Sequence, residues 1–420
     1  MDEATDGGNI GQMTPQRGVI PFILMMMLID AMGVGISIPV APRLIMDLTG
    51  RSVSDAAGMG GALMAAYAVM QFLFSPVLGN LSDHFGRRPV LLGSLAALCV
   101  DYLVMGTAPT IGWLFVGRLL AGSAGATYPT ANAVIADITP ETGRARYFGM
   151  IGAAWGVGFI LGPVLGGLLG SLGPRVPFFA AAGLVMVNLL LGLLVFKETL
   201  AVENRRPFAL RRSHLGAALM ELRAYPVALL LLAVVVLYQI AHDVLPATWT
   251  FYVIERFHWG PREIGLSLAA VGVCTAIVQG GLVGPITRRL GDRTSVYLGL
   301  LLGAASMIGY ALAPSISWLL LAIAIGAFMG LTMPALQSVM TRNVAANAQG
   351  ELQGAIAGIN SLVAIAAPLA MTQLFRTFTS ATPPLGLHLP GATFLVGALA
   401  LGIAALVFRG AVKQRASAPD

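Results

Sequence analysis

Charge is scarce in this chain: of 420 residues only 10% are Asp, Glu, Lys or Arg, against roughly 25% in a soluble globular domain. Cysteine is scarcer still. Cys99 and Cys274 are the two present, each inside an apolar run, so neither a disulfide framework nor a cysteine metal site is expected. The patterns GxSxG, HExxH, CxxC and Walker A do not occur, which removes the usual sequence grounds for an enzyme or a nucleotide-driven machine. Alternating polarity over roughly ten-residue stretches, the mark of a membrane β-barrel, is also missing; residues 226–237, PVALLLLAVVVL, are apolar throughout. The first 18 residues are polar with no basic leader ahead of an apolar core, so no cleaved signal peptide is expected.

What is abundant is apolar length. Residues of the hydrophobic class make up 57% of the chain, in stretches of about 20, the length that crosses a bilayer core of about 30 Å as a helix. Backbone groups in hydrocarbon must be satisfied internally, and the pattern predicts an all-α membrane protein. Twelve helices are expected, near 19–41, 58–79, 89–107, 111–133, 148–170 and 176–196, then near 226–250, 263–283, 294–313, 315–338, 352–374 and 391–409. The layout is a tail (1–18), a six-helix bundle (19–196), a polar linker (197–224) rich in arginine (Arg205, Arg206, Arg211, Arg212, Arg223), a second bundle (225–410) and a tail (411–420). Basic residues are retained on the cytoplasmic side. With both termini inside, 18 Lys/Arg fall on that side, 6 on the other, and Arg118 within a helix. The net charge of +6 is thus a topology signal of a multi-pass plasma-membrane protein, with no nucleic-acid partner implied.

The loop after the second helix reads Gly79-Asn-Leu-Ser-Asp83-His-Phe-Gly86-Arg87-Arg88, and the loop after the eighth reads Gly284-Pro-Ile-Thr-Arg288-Arg-Leu-Gly291-Asp292-Arg293. The two halves therefore look related. Gly79 and Gly86 permit tight turning, and Asp83 can accept bonds from arginine or from a helix N-terminus. In the fifth helix Gly158, Gly162, Gly166 and Gly170 repeat every four residues around Pro163 and Gly167, making a smooth face for close helix approach.

Charges inside apolar helices are the remaining signal, since each costs roughly 2.5–3.5 kcal/mol at a helix centre and is normally paired or lines a water-filled path. Asp30 lies in the first helix, Asp101 in the third and Arg118 in the fourth. The aspartates can bind and release protons, whereas Arg118 stays charged and can hold one carboxylate ionised. A pair of Asp101 with Arg118 that a proton or substrate can break is a coupling device, and a static pair that fixes packing is the alternative; Asp30 has no basic residue nearby in its own helix. His242 and Asp243 in the seventh helix could form a second titrating site, or they could be a solvated turn near the outer helix end beside Pro246.

Residues 79–88 match the signature G-x-L-x-D-x-x-G-R-[RK] of the major facilitator superfamily at each fixed position, and 158–167 resemble the G-x-x-x-G-P-x-x-G-G motif of its antiporters. Within it the chain resembles the twelve-helix drug/proton antiporters, most closely the tetracycline/proton antiporters. The likeness runs through Leu28-Ile-Asp30-Ala-Met-Gly33-Val-Gly35, Val100-Asp101-Tyr102-Leu103, Gly117-Arg118 to Thr127, Val134-Ile-Ala-Asp137, Pro334 to Gln337 and Leu352-Gln353-Gly354. The resemblance implies two six-helix bundles with a site at the midplane between them, a monomer exchanging protons for small amphipathic molecules, and no cofactor. It implies that Asp30, Asp101 and Arg118 serve transport. Gly79, Asp83, Gly86, Arg87 and Arg88 would then form a switch loop that latches the halves, and the glycine motif would mark export over uptake. Tetracycline exporters of this type usually carry a histidine in the eighth helix, and Thr275 stands there in this chain. A broad range of amphipathic, often cationic substrates is therefore expected, with tetracycline weak or absent among them.

Overall fold

The computed structural model describes residues 18–125, 127–208, 225–345 and 348–416. Arg211, Arg212 and Arg223 of the expected linker lie outside them. Among the described residues there are helices and no strands. The first half contains α1 (Val19–Ser37), α2 (Ala41–Thr49), α3 (Val53–Phe85), α4 (Arg87–Thr107), α5 (Ile111–Ser123), α6 (Thr127–Ile138), α7 (Glu141–Gly170) and α8 (Val176–Val195). The second contains α9 (Pro226–Phe257), α10 (Pro261–Ile277), α11 (Val283–Ala311), α12 (Ile316–Gly326), α13 (Thr332–Thr341), α14 (Gln349–Thr379) and α15 (Ala392–Ala416).

Among the described residues ten stretches are long and apolar enough to cross a membrane, and two further spans complete the expected twelve. One arises because the stretch Pro261–Ala311 folds back at Gly291, whose φ of 77° breaks the helix between the eighth and ninth spans. The other is the fourth span, made of two short pieces, α5 and α6, that part after Ser123. The tenth span is irregular at the matching level, with a 3₁₀ segment over Ala327–Leu331 between α12 and α13. Several helices outrun their apolar windows. α3 starts at Val53 with Ser52 capping the Asp55 N–H, and α9 continues to Phe257, because polar ends can carry a helix beyond the hydrocarbon.

Within the first half α1 packs on α7 and α4 on α8. The glycine face of α7 is what admits α1: a side chain at Gly162 would stand 2.7 Å from the Met32 carbonyl oxygen, and Gly158 and Gly166 abut the carbonyls of Leu28 and Ile36. Such backbone-to-backbone contact is the use small residues serve in membranes. The antiporter-like motif is therefore a packing seam, and its Gly167 reaches further, against Pro261, Arg262 and Gly265 of the other half.

The halves meet along two helix pairs, α3 with α14 and α7 with α10. One end carries a group of bonds that joins them. Ser54 Oγ lies 2.8 Å from both the carbonyl and the hydroxyl of Thr379, Arg376 Nε donates to Asp55 Oδ1 over 3.0 Å, and Gly61 seats Thr372. Toward the other end the same helices separate. Gly79, Gly149, Gly152, Gly156, Gly350 and Gly354 have no protein atom near a would-be Cβ, and Phe72 and Leu73 are exposed. The molecule is closed at the Ser54 end and open at the end that carries the signature loop.

A cysteine pair at Ser54 and Thr379 should therefore form a disulfide that blocks transport, with activity returning on reduction. Failure to cross-link in the resting protein, assayed by gel mobility after cleavage in the linker, would contradict a closed end at this seam.

Candidate functional site

The first half buries its charges in one region. Asp101 on α4 is wholly buried, and the Arg118 guanidinium on α5 donates to its Oδ2. Arg118 also approaches Met105 Sδ (2.8 Å) and stands 5.9 Å above the centre of the Tyr67 ring on α3. Gly117 belongs to this arrangement, since a Cβ there would come within 2.5 Å of Asp101 Oδ1. Sequence reasoning paired Asp101 with Arg118, and the structure brings them together. Asp30 is separate. It is 4% exposed on α1 and its Oδ2 accepts from Thr127 Oγ1 over 2.9 Å, so its partner is a neutral hydroxyl on the first residue past the break in the fourth span. One carboxylate is thus tied to a fixed cation and the other is tied to none, an arrangement in which the two respond differently to a proton.

At the open end, Arg87 ties the signature loop to the end of α6. Its Nη1 donates to Asp83 Oδ1 (2.5 Å) and Ser82 Oγ (3.1 Å), and its Nε donates to Asp137 Oδ2 (2.9 Å). Among the described residues Asp83 makes no bond to the second half. The second half repeats the device with the charges exchanged: Asp292 accepts from Ser338 Oγ (2.7 Å) and from Arg342. Gly79, Asp83, Gly86, Arg87 and Asp137 stand 205 positions before Gly284, Arg288, Gly291, Asp292 and Arg342. Both glycine turns have positive φ, 108° at Gly86 and 77° at Gly291.

Glu198, read from sequence as part of a polar linker, is a working part of this end. Its carboxylate accepts the backbone N–H groups of Arg87 (2.8 Å), Arg88 (3.1 Å), Thr199 (3.0 Å) and Leu200 (3.0 Å). It fills the space beside Gly86, where a side chain would collide with it. A carboxylate on the free N–H groups of a helix N-terminus is stabilised by them and by the helix dipole. Eight residues on, Arg206 N donates to the Asp83 carbonyl over 3.1 Å. The linker straps the signature loop. Arg88 adds a bond from Nη2 to the Leu193 carbonyl (2.8 Å).

His242 and Asp243 do not sit at a helix end. α9 spans 32 residues from Pro226 to Phe257, and both lie near its middle, with Pro246 accommodated inside the helix. Asp243 Oδ1 accepts from Gln239 Nε2 (2.9 Å) and lies 3.4 Å from His242 Nδ1, while His242 stacks on Tyr238. The helix runs on past residue 250, so neither residue stands at a helix terminus.

The model of the Major Facilitator Superfamily matches residues 23–368. The chain belongs to that superfamily. It is 41% identical over 377 residues to tetracycline resistance protein class C of Escherichia coli, covering 89% of this chain and 94% of that protein. To class G of Vibrio anguillarum it is 41% identical, over 85% and 90%, and to multidrug resistance protein 2 of Bacillus subtilis 26%, over 82% and 85%. Among solved structures, a nucleoside transporter shares the fold with a TM-score of 0.75 at 12% identity, covering 94% of this chain and 99% of that one. A bacterial homologue of the human lysosomal transporter Spinster does so at 0.74 and 17%, covering 95% and 97%. The superfamily's members are transporters, and this chain is a transporter and not an enzyme.

The strap yields a graded expectation. Glu198→Gln keeps the Oε1 acceptor that serves three of the four N–H groups and should lower turnover moderately, whereas Glu198→Ala should lower it severely, both at unchanged membrane abundance. Equal turnover in the two variants, measured in vesicles, would contradict the role of the carboxylate.

Proposed function

We propose that the chain is a secondary exporter that exchanges protons for amphipathic, drug-like molecules by alternating access. The observation that carries this reading is the pair of membrane-buried carboxylates beside an opening between the halves, one held by Arg118 and one hydrogen-bonded only to Thr127. A proton on Asp30 needs no cation to be displaced, so Asp30 is the primary coupling carboxylate. Asp101 releases Arg118 only when a proton or a substrate takes over part of its charge. The relatives, tetracycline and multidrug resistance proteins by name, support the drug class, and the glycine seam of α7 supports export over uptake.

The open end is the cytoplasmic one in this reading, since placing the signature loop, both termini and the linker inside puts 18 Lys/Arg there against 6 opposite. The conformation is then inward-open, like the inward-facing Spinster homologue. The functional unit is a monomer in the plasma membrane, because all the named groups lie within one chain. His242 and Asp243, at the middle of α9, serve as a second polar site in the other half.

Thr275, rather than histidine, in the eighth span argues for broad recognition over a dedicated chelate site. The test is a panel of unrelated drugs, tetracycline included, assayed for proton-dependent efflux in one vesicle preparation. Export of several supports the reading, and export of tetracycline alone would replace it with the activity in the relatives' names. Asp30→Asn should abolish gradient-driven export while leaving abundance near wild type, since it removes a titratable group at almost constant volume. Asp101→Ala should differ by also lowering stability, because it leaves the partly buried Arg118 without its carboxylate; melting curves in detergent separate the two.

A further inference from the structure

Two glutamines at membrane depth have not yet been given a task. Gln71 lies on α3 and Gln279 in the π-helical turn Val278–Leu282 that ends the α10 span. Each lies across a glycine at the level where its own half loses regular helix. A Cβ added to Gly125, in the break of the fourth span, would stand 3.1 Å from Gln71 Nε2; one added to Gly330, in the 3₁₀ segment of the tenth, would stand 3.1 Å from Gln279 Nε2. Gly125 and Gly330 are 205 positions apart, the offset that relates Gly86 to Gly291 and Asp137 to Arg342. Gln71 and Gln279 are themselves 208 positions apart and not symmetry mates, but each half sets one primary amide against its equivalent glycine.

The eighth span shows where Gln279 points. Gly265 and Gly272 face α7, against Pro163 and Ile160, and Gln279 follows at the same spacing of seven, where the halves have already parted. Leu266, Val273 and Ile277 form the exposed apolar stripe of this span, on roughly the opposite side from Gln279 by helical rotation. Gln279 is exposed. An unbonded amide facing lipid would be costly, and irregular backbone at membrane depth is tolerated where it lines a cavity. π-turns also concentrate at functional sites. Gln71 points toward the charged cluster, its Nε2 donating to Tyr67 Oη over 3.3 Å while Tyr67 carries Arg118 on its ring face.

We propose that Gln71 and Gln279 contact substrate directly, one from each half, and recognise its uncharged polar substituents: carbonyl, carboxamide and hydroxyl groups. An amide offers a donor and an acceptor and keeps both throughout the proton cycle, so it binds without competing for the protons that Asp30 and Asp101 carry. A substrate bonded to both amides also links the two halves. The inference rests on the export reading above.

Two probes in vesicles test it: tetracycline, rich in hydroxyl and carboxamide groups, and tetraphenylphosphonium, which has no hydrogen-bonding group. In Gln71→Ala and Gln279→Ala the KM for tetracycline should rise about tenfold, the factor a lost hydrogen bond of this kind produces, at nearly constant maximal rate. The KM for tetraphenylphosphonium should hold. Gly330→Ala, which displaces the Gln279 side chain, should reproduce the Gln279 effect. Equal losses for both probes would assign the glutamines a packing role and overturn the proposal, as would unchanged KM values in both alanine variants. Export of tetraphenylphosphonium without tetracycline by the wild-type protein would overturn the inference while leaving the export reading standing, and export of neither probe would remove both.

Discussion

Arg118 cannot be neutralised, and it sits where water is not freely available, so one carboxylate has to stand against it. That single requirement organises the first half. Asp101 is wholly buried to meet it, Gly117 is small because the carboxylate needs the space, and Met105 and Tyr67 supply the soft contacts around the guanidinium. With Asp101 committed to the arginine, Asp30 is left as a carboxyl with a hydroxyl partner only. The break after Ser123 delivers that hydroxyl, because it begins a new helix with Thr127. A continuous fourth span would have a different face toward α1.

The second constraint concerns how two rigid halves can share so little surface and still seal one end. Two mechanisms divide the work. Glycine lets backbones touch without side chains, as Gly167 does against Pro261 and Gly265, and a few polar bonds, Ser54 to Thr379 and Asp55 to Arg376, fix the register of the seam. At the open end each half keeps its charges to itself, Arg87 with Asp83 and Asp137, Asp292 with Arg342. Glu198 and Arg206 hold the start of the linker across the same loop.

Much of this was legible in the sequence because membranes restrict the choices. Twelve apolar windows gave twelve spans, the ten-residue signature located the Gly86 turn and Arg87, and Asp101 and Arg118 could be paired from charge and depth alone. What stayed hidden depended on tertiary contact. The Thr127 hydroxyl finds Asp30 across 97 positions, and Ser54 finds Thr379 across 325; neither leaves a periodic trace. Glu198 was masked by the polar stretch around it, although a lone acid just past an apolar helix, opposite a Gly-Arg-Arg turn, is the signal that could have found it. His242 and Asp243 were placed near a helix end because the apolar window closed before the helix did. The breaks in the fourth and tenth spans follow Gly122, Gly125, Gly326 and Gly330, residues too common in this chain to single out beforehand.

In the proposed exchange, drug movement and proton movement are one event. The direct measurement uses sealed proteoliposomes holding the wild-type protein and an internal pH dye, with a drug gradient imposed at equal pH on both sides. The account predicts proton flux opposite in direction to the drug, scaling with drug flux and missing from protein-free vesicles. Drug flux with no accompanying proton flux, or with protons moving in the same direction, would contradict it.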